Sequence, residues 1–543
     1  MAATVGMPFF AGYCNVTPDV RTAKIISAAR ATTFGRKSLS GNASVVFTAY
    51  DRGNSPLYHV VQDAERPDGY VIVSGDTDTP RVFGWVENAA FNESDIPADM
   101  KWWLSELSAK APRNKKERST QEEWENIEPL VEARWNQDAP YFNNTPTILG
   151  KHCWTGCGAT AMAQIFYHHK WPESASGTGF NYIYGSDVDL TPYKFDWESM
   201  LPEYKEGEYD ETQAAAVADL MTACGYSVRM QYSTSVSLCA SSQLQRAVIE
   251  NFNYGPDVKM LYRDYMNDPD FISTIYCDIK DGLPVLFGGV STGGGHAFVV
   301  DGYADGYFHI NWGWSGQYDG YFLLDNLNPE GQGIGGYEGG YNSSQHAITG
   351  IRPNREGENS YFLSMLSKGS FSEYVKGDWV YYDGSSYSLV YNSSNYIVEV
   401  TPAIKILSLD NADAEPVYVL SSDGSGKYGI GEGFRFIQAK LPADLPDGAY
   451  SISGCLIDAG GKECPIFVRK GKRANVTARV KEGKAKIYNQ STLPEESGID
   501  EMSVAEESDA EYFDLNGRRV TSPYKGNLYI VKKGSRYEKI IAM

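Results

Sequence analysis

Basic charge is scarce in this chain of 543 residues: 48 Lys and Arg stand against 69 Asp and Glu, a net charge of −21. A general binder of nucleic acid or of anionic membranes needs the opposite sign, so both classes are excluded. Long apolar runs are missing as well; none approaches the roughly 18 to 20 residues of a membrane-spanning helix. Cysteine is sparse at eight residues, which excludes a disulfide scaffold. Cys455 and Cys464 flank Ala459-Gly460-Gly461-Lys462 and either face each other across a hairpin or are two buried thiols. The opening MAATVGMPFFAGYC has no basic residue before its short apolar stretch and does not read as a signal peptide. What is abundant is glycine, 54 residues, and tyrosine, 38, which together favour turns and β-structure. With 42% hydrophobic and 22% charged residues the chain is globular rather than disordered. Its length suggests three or four domains at roughly 150 residues each.

Four regions follow from the pattern: 1–125, 126–354, 355–493 and 494–543. The first mixes a helical stretch, Thr22 to Arg36, with strands at Tyr58–Gln62 and Gly69–Ser74, a helix at Met100–Lys110, and a polar linker from Pro112 to Glu123 that can bury little and is open to proteolysis. In the second, Cys157 to His169 carries Ala159, Ala161, Met162, Ala163, Ile165 and Phe166 and stops at Pro172, which predicts a helix. Further helices are expected at Thr212–Cys224 and Ser242–Phe252, then strands at 284–288, 296–301, 307–312 and 320–324. Helices followed by sheet make an α+β domain. The third region has strand-like runs between turns and no helical period, so an all-β sandwich is expected. An acidic, Ser-rich linker and a small β-unit close the chain.

Cys157 stands at the first turn of its helix, where unsatisfied N–H groups and the helix dipole favour a thiolate, the reactive form of cysteine. A buried structural thiol is the plain alternative. A nucleophile needs a base, and the chain has seven histidines. His168 and His169 lie about 16 Å down the same helix at 1.5 Å per residue. His296 opens a strand after Gly293-Gly294-Gly295, where backbone or substrate can approach closely, and follows Cys157 by 139 residues, within the interval between cysteine and histidine in papain-like enzymes. Asn311-Trp312-Gly313-Trp314 offers an amide to orient an imidazole and an indole to shield it; a core tryptophan pair is the plain alternative. Gln137 could donate to an oxyanion together with the N–H of Cys157. Cys153, Cys157, His168 and His169 fit zinc poorly because the histidines are displaced down the helix. No metal and no cofactor is expected.

Thr155-Gly-Cys157-Gly-Ala-Thr-Ala-Met-Ala-Gln with His168-His169 and Pro172, Gly294-Gly-His296-Ala-Phe-Val-Val-Asp-Gly, His309-Ile-Asn311-Trp312-Gly-Trp314 with Asp319-Gly-Tyr-Phe-Leu-Leu, and Trp135-Asn136-Gln137 together resemble the motifs of the streptopain family of papain-like cysteine peptidases. The likeness runs from about residue 55 to 354. It departs at Gly158, where the family usually has a bulky residue, and at Leu238, where streptopain has a polar substrate-contacting one. The resemblance implies a two-lobed fold with the cleft between helices and sheet. It implies a zymogen whose residues 1–125 are an inhibitory prodomain, cut in the linker before Ile127, and a hydrophobic pocket for the residue two before the scissile bond. The unit around Tyr512–Val520 and Leu528–Val531 resembles sorting tails of secreted Bacteroidetes proteins, which implies a secreted or surface location.

The expected protein is therefore the precursor of a secreted cysteine endopeptidase acting on proteins or peptides. Cys157 is the nucleophile and His296 the base; Asn311 orients His296, Trp312 shields that contact and Gln137 stabilises the oxyanion. Gly295, Leu238 and the loop glycines Gly335 and Gly336 are expected to bound the substrate cleft. The rival from another class is a surface-binding protein that uses the C-terminal sandwich and keeps the peptidase lobe as a scaffold; an amidase or acyltransferase is a third.

Overall fold

The protein is described from a computed structural model that covers residues 20–92 and 124–494 with short gaps, the longest at 325–342 and 355–362, and strands between 511 and 541. The expected helix at 100–110, the linker from 112 to 123 and the loop 331–341 lie outside the described residues.

The helical lobe forms around α2 (Cys157–His169, numbered after α1 at Val20–Ala31). Every residue from Gly158 to Tyr167 is buried, as in a helix surrounded by core on all sides. It stops at Lys170, which takes a left-handed conformation with φ 50°, two residues ahead of Pro172. α3 (Glu211–Ser227) begins with a capping box between Asp210 and Gln213, and α4 (Ser241–Glu250) packs beside it. Trp135, Phe166, Met221 and Phe252 are fully buried in the core these helices share.

The sheet lobe has ten antiparallel strands. In chain order they are β1 (Ala43–Tyr50), β2 (Pro56–Asp63), β3 (Arg66–Ser74), β4 (Val82–Val86), β5 (Lys259–Tyr262), β6 (Val285–Ser291), β7 (Gly294–Ala304), β8 (Tyr307–Asn311), β9 (Gly320–Phe322) and β10 (Ser343–Thr349). Across the sheet they run β1-β2-β3-β4-β9-β8-β7-β6-β10-β5. One helix was not foreseen, α5 (Asp268–Lys280). Asn267 caps it by accepting from the Asp270 N–H, a proline opens its first turn, and Phe271, Ile272, Ile275, Tyr276 and Ile279 form its buried side.

The N-terminal strands are therefore not a separate unit. β4 pairs with β9 in the register Val86↔Gly320, Trp85↔Tyr321 and Gly84↔Phe322. Two glycines make this seam possible: a Cβ on Gly320 would stand 1.9 Å from the Trp85 carbonyl, and one on Gly84 2.4 Å from that of Tyr321. Trp85 stacks on Tyr321 with centroids 4.5 Å apart. Val60, Tyr70, Ile72 and Phe83 share one hydrophobic core with Phe271, Phe287, Phe298 and Phe308. The polar linker therefore does not divide two independent cores: strands on both sides of it close a single core.

The described residues of 363–493 are all-β, with three sheets around their own core, which includes Phe371, Ile404, Ile452 and Val476. Cys464 pairs with Leu456, so it is one residue out of register with Cys455, and both thiols are free. The C-terminal unit forms a four-stranded sheet, from Glu511–Phe513 to Arg536–Ile541. None of the described helices is long and apolar enough to cross a membrane. The architecture is α+β, two-lobed, with a C-terminal β-rich region.

Candidate active site

The site lies where the start of α2 meets β7. Gly156 precedes the helix at φ 87°, a conformation that favours glycine; a Cβ there would also stand 2.6 Å from the Met230 methyl. No side chain caps this helix end, so its first N–H groups are open to a negatively charged sulfur or oxygen. β7 lies against α2, and the Ala297 N–H points at the Cys157 sulfur at 3.4 Å. Cys157 is half-buried.

Burial pushes the Cys157 thiol up. The adjacent His296 imidazole, by hydrogen bond and by charge, and the N–H groups of Ala297 and Gly158 outweigh it, so the pKa falls below the ordinary thiol value. Burial raises the thiols of Cys153, Cys224, Cys239, Cys455 and Cys464. Cys157 is thus the thiol poised to ionise.

His296 is 7% exposed. Its Nε2 lies 3.1 Å from the main-chain carbonyl of Trp312. That carbonyl can only accept, so Nε2 carries the proton and Nδ1 is left for the Cys157 sulfur. The expected partner was the Asn311 side chain, and here the structure differs. Asn311 Nδ2 donates to the Ala133 carbonyl at 2.7 Å, and its Oδ1 accepts from the Gly313 N–H at 3.1 Å. Both amide atoms are committed to the backbone, so Asn311 holds the turn that presents the Trp312 carbonyl.

Trp312 is buried beneath the imidazole, and Trp314 is the closer cover. The His296 and Trp314 rings stack at 5.0 Å, those of His296 and Trp312 at 6.2 Å. The two indoles stack on each other at 5.4 Å. Asp319 accepts from the Trp312 N–H at 2.9 Å; burial, against the pull of His309, raises its carboxyl to about 7. Trp314 and Asp319 had no role in the sequence reading, although both sit in its quoted motif. The carbonyl of Trp312 had no side-chain signal at all.

Gln137 is tied to the nucleophile's approach: the Thr155 N–H donates to its carbonyl at 3.3 Å. Its side chain is half-buried. Gly295 lies next to His296 and opposite Val290; a Cβ on it would meet only the Gly289 carbonyl and Val290 Cγ2, at 3.6 and 4.0 Å. Leu238 is 49% exposed and lines a cavity of about 370 Å³ with Tyr182, Arg229, Gln231, Cys239, Ala240 and Gln243. Gly158 has a structural reason: Cys239 Sγ and the Leu244 methyls fill the space where its Cβ would stand, at 2.8 and 3.0 Å. Gly335 and Gly336 lie outside the described residues. His168 and His169 face the Gly282 carbonyl and the Tyr254 hydroxyl, away from Cys153 and Cys157.

Comparisons with known proteins identify the family. Residues 135–322 match the Peptidase C10 family, and residues 21–111 match the family described as Spi protease inhibitor. Streptopain of Streptococcus pyogenes is 35% identical over 318 residues, covering 52% of this chain and 78% of that protein. The thiol protease/hemagglutinin PrtT of Porphyromonas gingivalis is 31% identical over 363 residues, 61% of this chain and 41% of that one. Among solved structures, a prointerpain A fragment from Prevotella intermedia is 26% identical with a TM-score of 0.48, covering 58% of this chain and 99% of the fragment. With 35% identity across more than two thirds of streptopain, this chain belongs to the Peptidase C10 family of streptopain-like cysteine proteases.

Proposed function

We propose that this chain is the zymogen of a secreted cysteine endopeptidase that cleaves proteins through an acyl-enzyme. One observation carries the reading: the Cys157 sulfur at an uncapped helix start, facing the imidazole of His296 and the Ala297 N–H, with its pKa lowered. The thiolate attacks the peptide carbonyl, and the His296 imidazolium returns its proton to the leaving amine. The oxyanion is taken up by the Cys157 N–H and the Gln137 amide. The Trp312 carbonyl fixes the imidazole and the Trp314 ring excludes water from it. Export is supported by the likeness of the C-terminal unit to sorting tails.

The inhibitor-like match at 21–111 supports latency. Trp124 already stacks on Tyr276 at 4.2 Å, and Ile127 exchanges backbone hydrogen bonds with Tyr303. The expected mature N-terminus therefore falls between Arg113 and Glu123. Because β4 and β9 share a ladder and a core, cutting the linker alone should leave the prodomain bound. N-terminal sequencing of active enzyme, with gel filtration of freshly nicked protein, checks both statements. An uncut chain with full activity would sink the zymogen reading.

The subsite beside Leu238 is expected to favour Ile, Leu, Val or an aromatic residue two before the scissile bond. Differences of a methylene or so in an apolar pocket are worth about 10- to 200-fold, so the preference is graded. A peptide-library profile checks it; strong preference for Asp or Lys at that position would defeat the subsite while leaving the catalytic assignment intact.

A further inference from the structure

Both family matches end before the C-terminal β-domain: one covers 21–111, the other 135–322. Whatever residues 363–493 add to the active site is therefore outside what the family match describes. They do reach it. The Arg469 guanidinium forms an ion pair with Asp264 at 2.6 Å, and Lys470 forms one with Asp268 at 3.0 Å. Ser394 and Ser393 face Gln245 and the Met260 carbonyl. Gly431 packs so closely on Ser242 that a Cβ would stand 2.6 Å from the serine Cβ.

Between the two domains lies a cavity of about 520 Å³. On the peptidase side it is lined by Ala240 to Ser242, Val290 and His346, and on the other side by Lys368, Tyr391 and Arg469. Ala240 also lines the Leu238 cavity, and Val290 sits opposite Gly295, the neighbour of His296. The pocket therefore continues the cleft outward from the subsite beside Leu238.

Its electrostatics run against those of the whole chain. Lys368 holds its ammonium 4.8 Å over the Tyr391 ring, and among the described residues no carboxylate pairs with it. The Asp264 carboxylate is already engaged by Arg469. α4 begins at this pocket with Ala240 as its N-cap and no side-chain cap, so its first N–H groups add positive potential. His346 is 6% exposed; its Nδ1 faces the Ser344 carbonyl at 3.0 Å, and its Nε2 is buried without a partner among the described residues. With the ring proton on Nδ1 facing that carbonyl, Nε2 is an acceptor and adds nothing to anion binding. The Lys368 cation and the uncapped start of α4 suit a negatively charged group.

We propose that the C-terminal β-domain completes the substrate cleft, and that the pocket it shares with the sheet lobe takes an acidic side chain of the peptide substrate. This rests on the peptidase reading and extends it to a subsite other than the one beside Leu238. The test uses processed enzyme and peptides blocked at both ends. Leu is kept two residues before the scissile bond, and Glu, Gln or Lys is placed in turn at each other position. At one position wild-type enzyme should prefer Glu to Lys by roughly tenfold in kcat/KM, the size of one charge-assisted hydrogen bond. Lys368→Gln should bring that ratio towards unity, and Lys368→Glu should reverse it. Equal ratios in wild type and Lys368→Glu would overturn the proposal alone, with the peptidase reading untouched. Failure of the processed protein to cleave any peptide, the Leu parent included, would overturn both.

Discussion

Cys157→Ala is expected to lower peptide hydrolysis by roughly 10⁴-fold or more, the scale on which removing a nucleophile acts when base and oxyanion donors stay in place. Self-processing should disappear with it. Cys153→Ala is the informative companion. Cys153 lies four residues earlier, wholly buried, with its thiol raised by burial. Replacing it removes one sulfur from the helical core and nothing from the site, so activity should stay within a few-fold of wild type. The contrast reflects position. Cys157 begins a helix whose N-terminal N–H groups are unspent and faces His296, whereas Cys153 is enclosed by core. Cleavage of an unstructured protein substrate by Cys157→Ala at the wild-type rate would end the nucleophile assignment.

Much of this site is legible in the sequence, and the part that is not has identifiable causes. α2 is readable because its strong helix formers, its glycine entry and its downstream proline lie within twenty residues of one another. α5 carried equally local signals, Asn267, Pro269 and the spacing Phe271, Ile275, Ile279, and could have been read. The β4–β9 seam could not. Val82–Val86 and Gly320–Phe322 are more than 200 residues apart, and their pairing depends on backbone approach at Gly84 and Gly320, which a lone glycine in a strand does not announce. Gly158 looked like a departure from its family; its missing side chain is replaced by Cys239 and Leu244, residues that only the fold brings there. The Asn311 role was read without the backbone, for a different reason. The group on His296 is a main-chain carbonyl, and residue identity records nothing of where a carbonyl points.

That distinction yields the second large effect. His296→Ala removes the base, so hydrolysis should fall by roughly 10² to 10⁴-fold, the range for general acid–base groups. The thiol should also respond. With the imidazole gone, the largest influence on Cys157 is burial, which raises its pKa, so the pH at which alkylation by iodoacetamide accelerates should move upward. Asn311→Ala should behave otherwise. It strips the Ala133 carbonyl and the Gly313 N–H of buried partners, at a cost of about 1 to 3 kcal/mol in stability for each, while the Trp312 carbonyl still holds His296. Its folded fraction should therefore keep the wild-type alkylation profile and lose less activity than His296→Ala. Trp314→Ala removes the ring stacked 5.0 Å from the imidazole and should fall between the two, lowering kcat without moving the thiol as far. Alkylation rates from pH 5 to 9, measured beside kcat/KM and thermal melting, separate these cases. If Asn311→Ala stays folded yet matches His296→Ala in both activity and alkylation profile, the imidazole is held by the amide after all and the role given to the Trp312 carbonyl is wrong.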